Sequence, residues 1–152
     1  MSHHLDTPLA AQTGQLYIDD LYVFPGQGST VLIMDVNSNV NGLHSEPGFH
    51  PEARYEFKVH FGGADFETLT YRVSFGEADS GGRQALRLHA LTADQAREDS
   101  APGDLMLEGQ TGEIASADGT RIWAGRISDS FYIDLSLLAV INGAVEIGRA
   151  HV

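Results

Sequence analysis

RYEFKVHFGGADFETLTYRVSF, residues 54–75, is the stretch whose reading decides the fold. Tyr55, Phe57, Val59 and Phe61 alternate with Glu56, Lys58 and His60. After a break, Leu69, Tyr71, Val73 and Phe75 alternate with Thr70, Arg72 and Ser74. A period of two sends one set of side chains to a buried face and the other to water. Between the runs, Gly62-Gly63-Ala64-Asp65 supplies the residues that tolerate positive φ in a tight reversal. The stretch therefore predicts a β-hairpin, with no helix anywhere in 54–75 and with Tyr55, Phe57, Val59, Leu69, Tyr71 and Val73 buried. The expected fold is all-β: an antiparallel sandwich or a partly open barrel with little helix.

Working outward, residues 2–14 are polar and turn-prone and read as an N-terminal arm. Gln15–Phe24 reads as a first strand, interrupted by Asp19-Asp20, and Pro25-Gly26-Gln27-Gly28 as a turn. Thr30–Val36 is apolar on both sides up to Asp35, the pattern of a central strand covered on both faces. Residues 37–51 form a long loop rich in Asn, Gly and Pro, a length that usually signals function or mobility. Beyond the hairpin, Gly76–Gly82 is a turn, and Arg83–Leu91 is a strand with Leu86, Leu88 and Ala90 on one face. A short helix is expected at Ala93–Arg97. Leu105–Leu107 and Arg121–Ile127 are short strands about the Asp118-Gly119 turn, and Phe131–Asp134 is extended. Leu135–Ile141 reads as the start of a helix stopped by Asn142-Gly143.

Composition bounds the function. The chain has 152 residues, one domain of ordinary size, with 42% hydrophobic and 20% charged residues, as in soluble globular proteins. Its net charge of −12 repels phosphate backbones and anionic lipid surfaces, which disfavours nucleic acid and membrane as partners. The absence of cysteine removes disulfides, thiolate catalysis and cysteine–zinc sites. MSHHLDTPLA has no apolar core of a secretory signal, so a cytoplasmic location is the default expectation, with export left open.

Several residues invite a chemical reading. With Met1 removed, the free amine, two backbone amides and the His4 imidazole can chelate Cu(II) or Ni(II). The plain alternative is a polar arm whose histidines cap or pack. Asp35-Val36-Asn37-Ser38-Asn39-Val40-Asn41 with Glu46 spaces oxygen ligands as calcium loops do, but Val40 stands where such a loop needs Gly; side-chain hydrogen bonds of an Asn-rich turn explain the same residues. Asp19-Asp20 lies within a strand, where a buried carboxylate needs a partner such as Arg54, Arg72 or a metal. His44, His50 and His60 could join it, though their spacing is no metal signature. Gly26-Gln27-Gly28-Ser29 is not a phosphate loop, because a strand follows it. No nucleophile elbow and no H-E-x-x-H pair is present. Trp123 and the tyrosines suit a core and a stacking surface equally.

Three segments in order carry a resemblance: Ser2-His3-His4 leading into Tyr17–Phe24, the Tyr55–Phe75 hairpin, and Trp123-Ala124-Gly125-Arg126 before Asp129–Asp134. Together they resemble the bacterial family catalogued as domain of unknown function 4331, whose members begin near a Ser-His pair and carry an FAG-R-DPFF-D segment. The resemblance implies a β-rich soluble domain and no established chemistry. The chain departs from it at 60–65, where relatives carry an Asp- and Asn-rich turn. The relatives also continue past the last segment with further strand. Here Glu146–Val152, EIGRAHV, is what a common sequencing-library adapter (GAGATCGGAAGAGCACACGTC) encodes. Residues 2–145 are therefore expected to be one β-rich domain, incomplete at its C-terminus, with 146–152 a non-native tail. His151 then carries no functional weight, and an uncovered sheet edge favours self-association.

The functional expectation is a β-domain that binds a small ligand or a protein partner, with Asn37, Asn39, His44, His50 and His60 as candidate ligand-binding residues. The alternatives are a metal-dependent enzyme, with redox chemistry as one option for it, and a fragment without function of its own. The candidate ligands for a divalent metal are His3, His4, Asp6, Asp19 and Asp20, brought together if the arm folds back on the first strand.

Overall fold

A computed structural model describes residues 13–37 and 47–128, together with Ser136, Leu137, Val140 and Ile141, which are helical. The strands are β1 (Ile18–Pro25), β2 (Thr30–Val36), β3 (Arg54–Val59), β4 (Leu69–Ala78), β5 (Gln84–Thr92), β6 (Asp104–Gln110), β7 (Ile114–Ala117) and β8 (Thr120–Trp123). All described pairing is antiparallel. A four-stranded meander β3-β4-β5-β6 is flanked by two ribbons, β1-β2 and β7-β8, and the sheets do not close into a barrel. Short 3-10 turns occupy Gly14–Leu16 and Ala93–Arg97. The all-β reading holds.

The hairpin forms as its alternation dictates, with Tyr55 opposite Val73 and Phe57 opposite Tyr71. Gly62 and Gly63 both take positive φ (63° and 73°), and the Ala64 N–H returns to the Phe61 carbonyl at 3.1 Å. Tyr55, Val73, Phe75, Leu86, Leu88 and Leu107 form the buried core on one face of the meander. Met34 and Val36 of β2, Phe49 and Ala53 of the preceding loop, and Ala115, Ala117, Ile122 and Ala124 of the β7-β8 region pack against it. Gly109 makes the last contact close, since a Cβ there would stand 2.6 Å from Ala115 Cβ. Phe49 stacks flat on Phe75 at 3.8 Å, and Tyr55 meets both rings edge-on at 5.5 Å. Each Leu as fully buried as Leu86 is worth about 2 kcal/mol over an exposed one.

Three expectations change. Of the six residues expected inside, Tyr55 and Val73 are buried, while Phe57, Val59, Leu69 and Tyr71 are half-buried. Conversely Thr70 and Arg72, assigned to water by alternation, are buried at 0% and 7% exposure. The cause is a second cover: residues 93–101 fold across this end of the opposite face. Thr70 Oγ1 donates to the Ala96 carbonyl at 2.8 Å, and Arg72 donates to the carbonyls of Ala101 (2.5 Å) and Glu98 (3.4 Å). Second, β2 is not a doubly covered central strand. Among the described residues it pairs only with β1, and none of its side chains is fully buried.

Third, Arg121–Ile127 is extended as a strand only to Trp123. The Asp118-Gly119 reversal takes positive φ at both residues (47° and 79°), the signature of a two-residue turn matched to strand twist. No described helix is long and apolar enough to cross a membrane.

Candidate functional site

Adjacent aspartates in a strand would ordinarily point to opposite faces. Here the β1-β2 register shifts between Ile18 and Asp20, making Asp19 the extra residue of a bulge. Asp20 then stands opposite Asp35, with Ile18 opposite Val36. All three carboxylates are half-exposed, so the burial cost that called for Arg54, Arg72 or a metal does not arise. Both arginines serve elsewhere: Arg54 donates to the Asp99 carbonyl and Arg72 to Glu56. His3, His4 and Asp6 lie outside the described residues, as do Asn39 and His44. Among the described residues, no three His, Asp or Glu side chains converge as metal ligands would.

Asn37 and His50 come to one junction at the base of the ribbon. Asn37 takes φ 61°, its N–H donates to the Tyr17 carbonyl at 3.0 Å, and its side-chain amide reaches the Gly48 carbonyl at 3.4 Å. The Tyr55 hydroxyl accepts the His50 N–H at 2.9 Å and donates to the Gln15 carbonyl at 2.7 Å. Burial raises the Tyr55 phenol above its ordinary value, opposed in part by the His50 N–H. Gln84, 4% exposed, spans the remaining gap: its amide nitrogen donates to Phe49 and Gly76 carbonyls (2.7 and 2.8 Å) and its oxygen accepts the Phe49 N–H (2.9 Å). Residues 47–53 are thus pinned to the sheet, and the polar groups gathered here satisfy backbone.

His60 belongs to the other end of β3, where its Nδ1 lies 3.2 Å from the Ala64 carbonyl in the hairpin turn. A six-residue strand separates it from His50, so these two do not form one site. Beside this turn runs an open groove of about 350 Å³ between Ala64–Thr68 and Ala93, Asp94 and Arg97. The Arg97 guanidinium covers Phe66 at 3.8 Å from the ring centre, and Lys58 pairs with Glu67 at 3.0 Å. Arg97 and Glu67, two of the charged residues lining the groove, are therefore already engaged within the chain.

What remains without a structural explanation is the β1-β2 ribbon. Leu21, Val23, Phe24 and Ile33 are exposed at 59%, 63%, 43% and 38%. Leu21 and Val23 share one face with Leu32 and Met34; Phe24 shares the other with Val31 and Ile33. Only the base of the ribbon, at Met34 and Val36, packs on the core. The turn at its tip is closed by the Gly26 N–H on the Ser29 carbonyl at 2.8 Å. Sequence reasoning passed over this surface because apolar content was equated with burial. A usable signal existed: Leu21–Met34 contains no charged residue in a chain that is 20% charged.

No family model matches the chain, and no curated protein or solved structure matches it either.

Proposed function

We propose that the chain is a binding domain whose β1-β2 ribbon engages a protein partner offering an apolar strand edge. The carrying observation is the Leu21–Met34 part of the ribbon, which holds no charged residue and exposes apolar side chains on both faces. Strand addition suits such a surface: main-chain hydrogen bonds supply affinity, and the alternating side chains supply selectivity. The order of the three family-like segments supports membership of the domain of unknown function 4331 family as part of the same proposal. The test is hydrogen exchange of residues 18–36 with and without a synthetic extended peptide of alternating Val and Thr. Slowed exchange confined to the ribbon is the expected result. Unchanged exchange at saturating peptide overturns the proposal.

A further inference from the structure

The chemistry of the ribbon narrows the partner. At 20% charged, a 14-residue stretch of this chain would carry roughly three charges, yet Leu21–Met34 carries none. Strands meant to remain at an edge usually hold Lys, Pro or an inward charge that blocks pairing. β1 ends on Pro25, but β2 has none of these from Thr30 to Met34 and a charge only at Asp35 near its end, and among the described residues β2 pairs only with β1. A two-stranded ribbon is marginal in water and gains from a third strand. Elsewhere on the molecule, two copies each of net charge −12 repel one another.

Resting on the docking reading above, we infer that β2 pairs antiparallel with β2 of a second copy of this chain, across a twofold axis at Ile33. The product is a four-stranded sheet in which β1 of each copy is outermost. In this register Leu32 faces Met34 of the other copy, and Asp35 faces Val31. The two Asp35 carboxylates then stand four residues apart along the strand, roughly 13 Å at ~3.3 Å per residue. That is beyond a physiological screening length of about 8 Å, so the acidic base of the ribbon does not oppose the contact. Symmetric, self-complementary pairing is the commonest oligomer geometry. A lipid surface fits less well. Gly26-Gln27-Gly28-Ser29 at the tip would enter first, carrying backbone polar groups that hydrocarbon cannot satisfy.

Sedimentation velocity of the full chain over a wide concentration range tests this. Wild type should pass from monomer to dimer as concentration rises. Ile33→Lys, which places two charges at the axis, should weaken association at least tenfold. Ile114→Lys, at an exposed apolar residue of β7, should leave it unchanged. If Ile33→Lys loses its sheet signal by circular dichroism, Ile33→Thr replaces it, with weaker association again expected. A wild type that stays monomeric at every concentration overturns the inference, as does association that survives the Ile33 variants or falls equally with Ile114→Lys. Co-sedimentation with neutral phosphatidylcholine vesicles, lost in Ile33→Lys, would also overturn it in favour of lipid. A monomeric wild type whose ribbon is still protected by the Val-Thr peptide would remove the second copy and leave the docking reading intact. Failure of both measurements would remove both.

Discussion

Arg72 and Glu56 face each other across β4 and β3, and the Arg72 Nε–H donates to the Glu56 carboxylate at 2.5 Å. The arginine side chain is 8% exposed and the glutamate 15%, so the pair is shielded from solvent on the covered face. Removing one member of such a pair leaves an uncompensated buried charge. Glu56→Ala should therefore destabilise the fold by about 3 kcal/mol in urea unfolding. Glu56→Gln, which keeps an acceptor oxygen, should recover part of that loss. Equal stability of Glu56→Ala and wild type would show the pair to be idle.

Tyr55→Phe removes the hydroxyl shared by His50 and Gln15 while preserving the stacked rings. The expected cost is about 1–2 kcal/mol, the worth of stranded buried backbone partners. The pH dependence has a definite sign. The folded-state phenol titrates above its ordinary 10.0, so the stability tied to it is complete below pH 10.0 and is lost as pH rises through the folded value. The gap between wild type and Tyr55→Phe should thus narrow under alkaline conditions, as followed by denaturation midpoints.

Asp79 organises the β4-β5 turn, its Oδ1 accepting the N–H groups of Gly81 (2.8 Å) and Arg83 (2.9 Å). These bonds, that from Arg83 first, hold its carboxyl below the usual 3.8. A depressed folded value stabilises above the unfolded one and is lost as pH falls through the folded one. Asp79→Asn keeps the acceptor and removes the charge. Its deficit against wild type should be present at neutral pH and vanish in acid; a deficit independent of pH would assign the effect to turn geometry.

Gln84→Leu preserves approximate volume and deletes three hydrogen bonds at once, leaving Phe49 and Gly76 backbone groups unsatisfied. A loss of about 2–4 kcal/mol is expected. Hydrogen exchange should accelerate first across residues 47–53, because Gln84 makes two of the hydrogen bonds that tie them to the sheet. Uniform acceleration over the whole chain would argue against such a local clamp.

The contrast between Val73 and Arg72 shows what the sequence could reveal. Val73 lies in a period-two run across a glycine turn, so its place inside follows from local pattern. Arg72 looks like the solvent partner of that pattern, and only a segment 26–29 residues later covers it, through carbonyl oxygens that every residue possesses. No side-chain signature announces such a cover. β2 failed in the opposite direction: Val31-Leu32-Ile33-Met34 reads like core, but its neighbours in space were not specified by its own residues. At the candidate sites, Asp19-Asp20 was legible as an anomaly, whereas the register shift that resolves it depends on β2. His50 and His60 were legible as residue types, but their placement at opposite ends of β3 was legible only once that strand was fixed.

The meander also sets an order of assembly. Each of β3, β4, β5 and β6 pairs with its neighbour in sequence, so its nucleus closes short loops only, and topology of this kind folds comparatively fast. The ribbon is synthesised before the meander, and the core on which Met34 and Val36 pack is complete only once its last member, Leu107, has left the ribosome. At ~5–20 residues per second, the stretch from Val36 to Gln110 takes roughly 4–15 s to make. For that interval the nascent chain trails a hairpin that is incompletely anchored and uncharged from Leu21 to Met34, the segment of this protein on which a chaperone would have the most to hold.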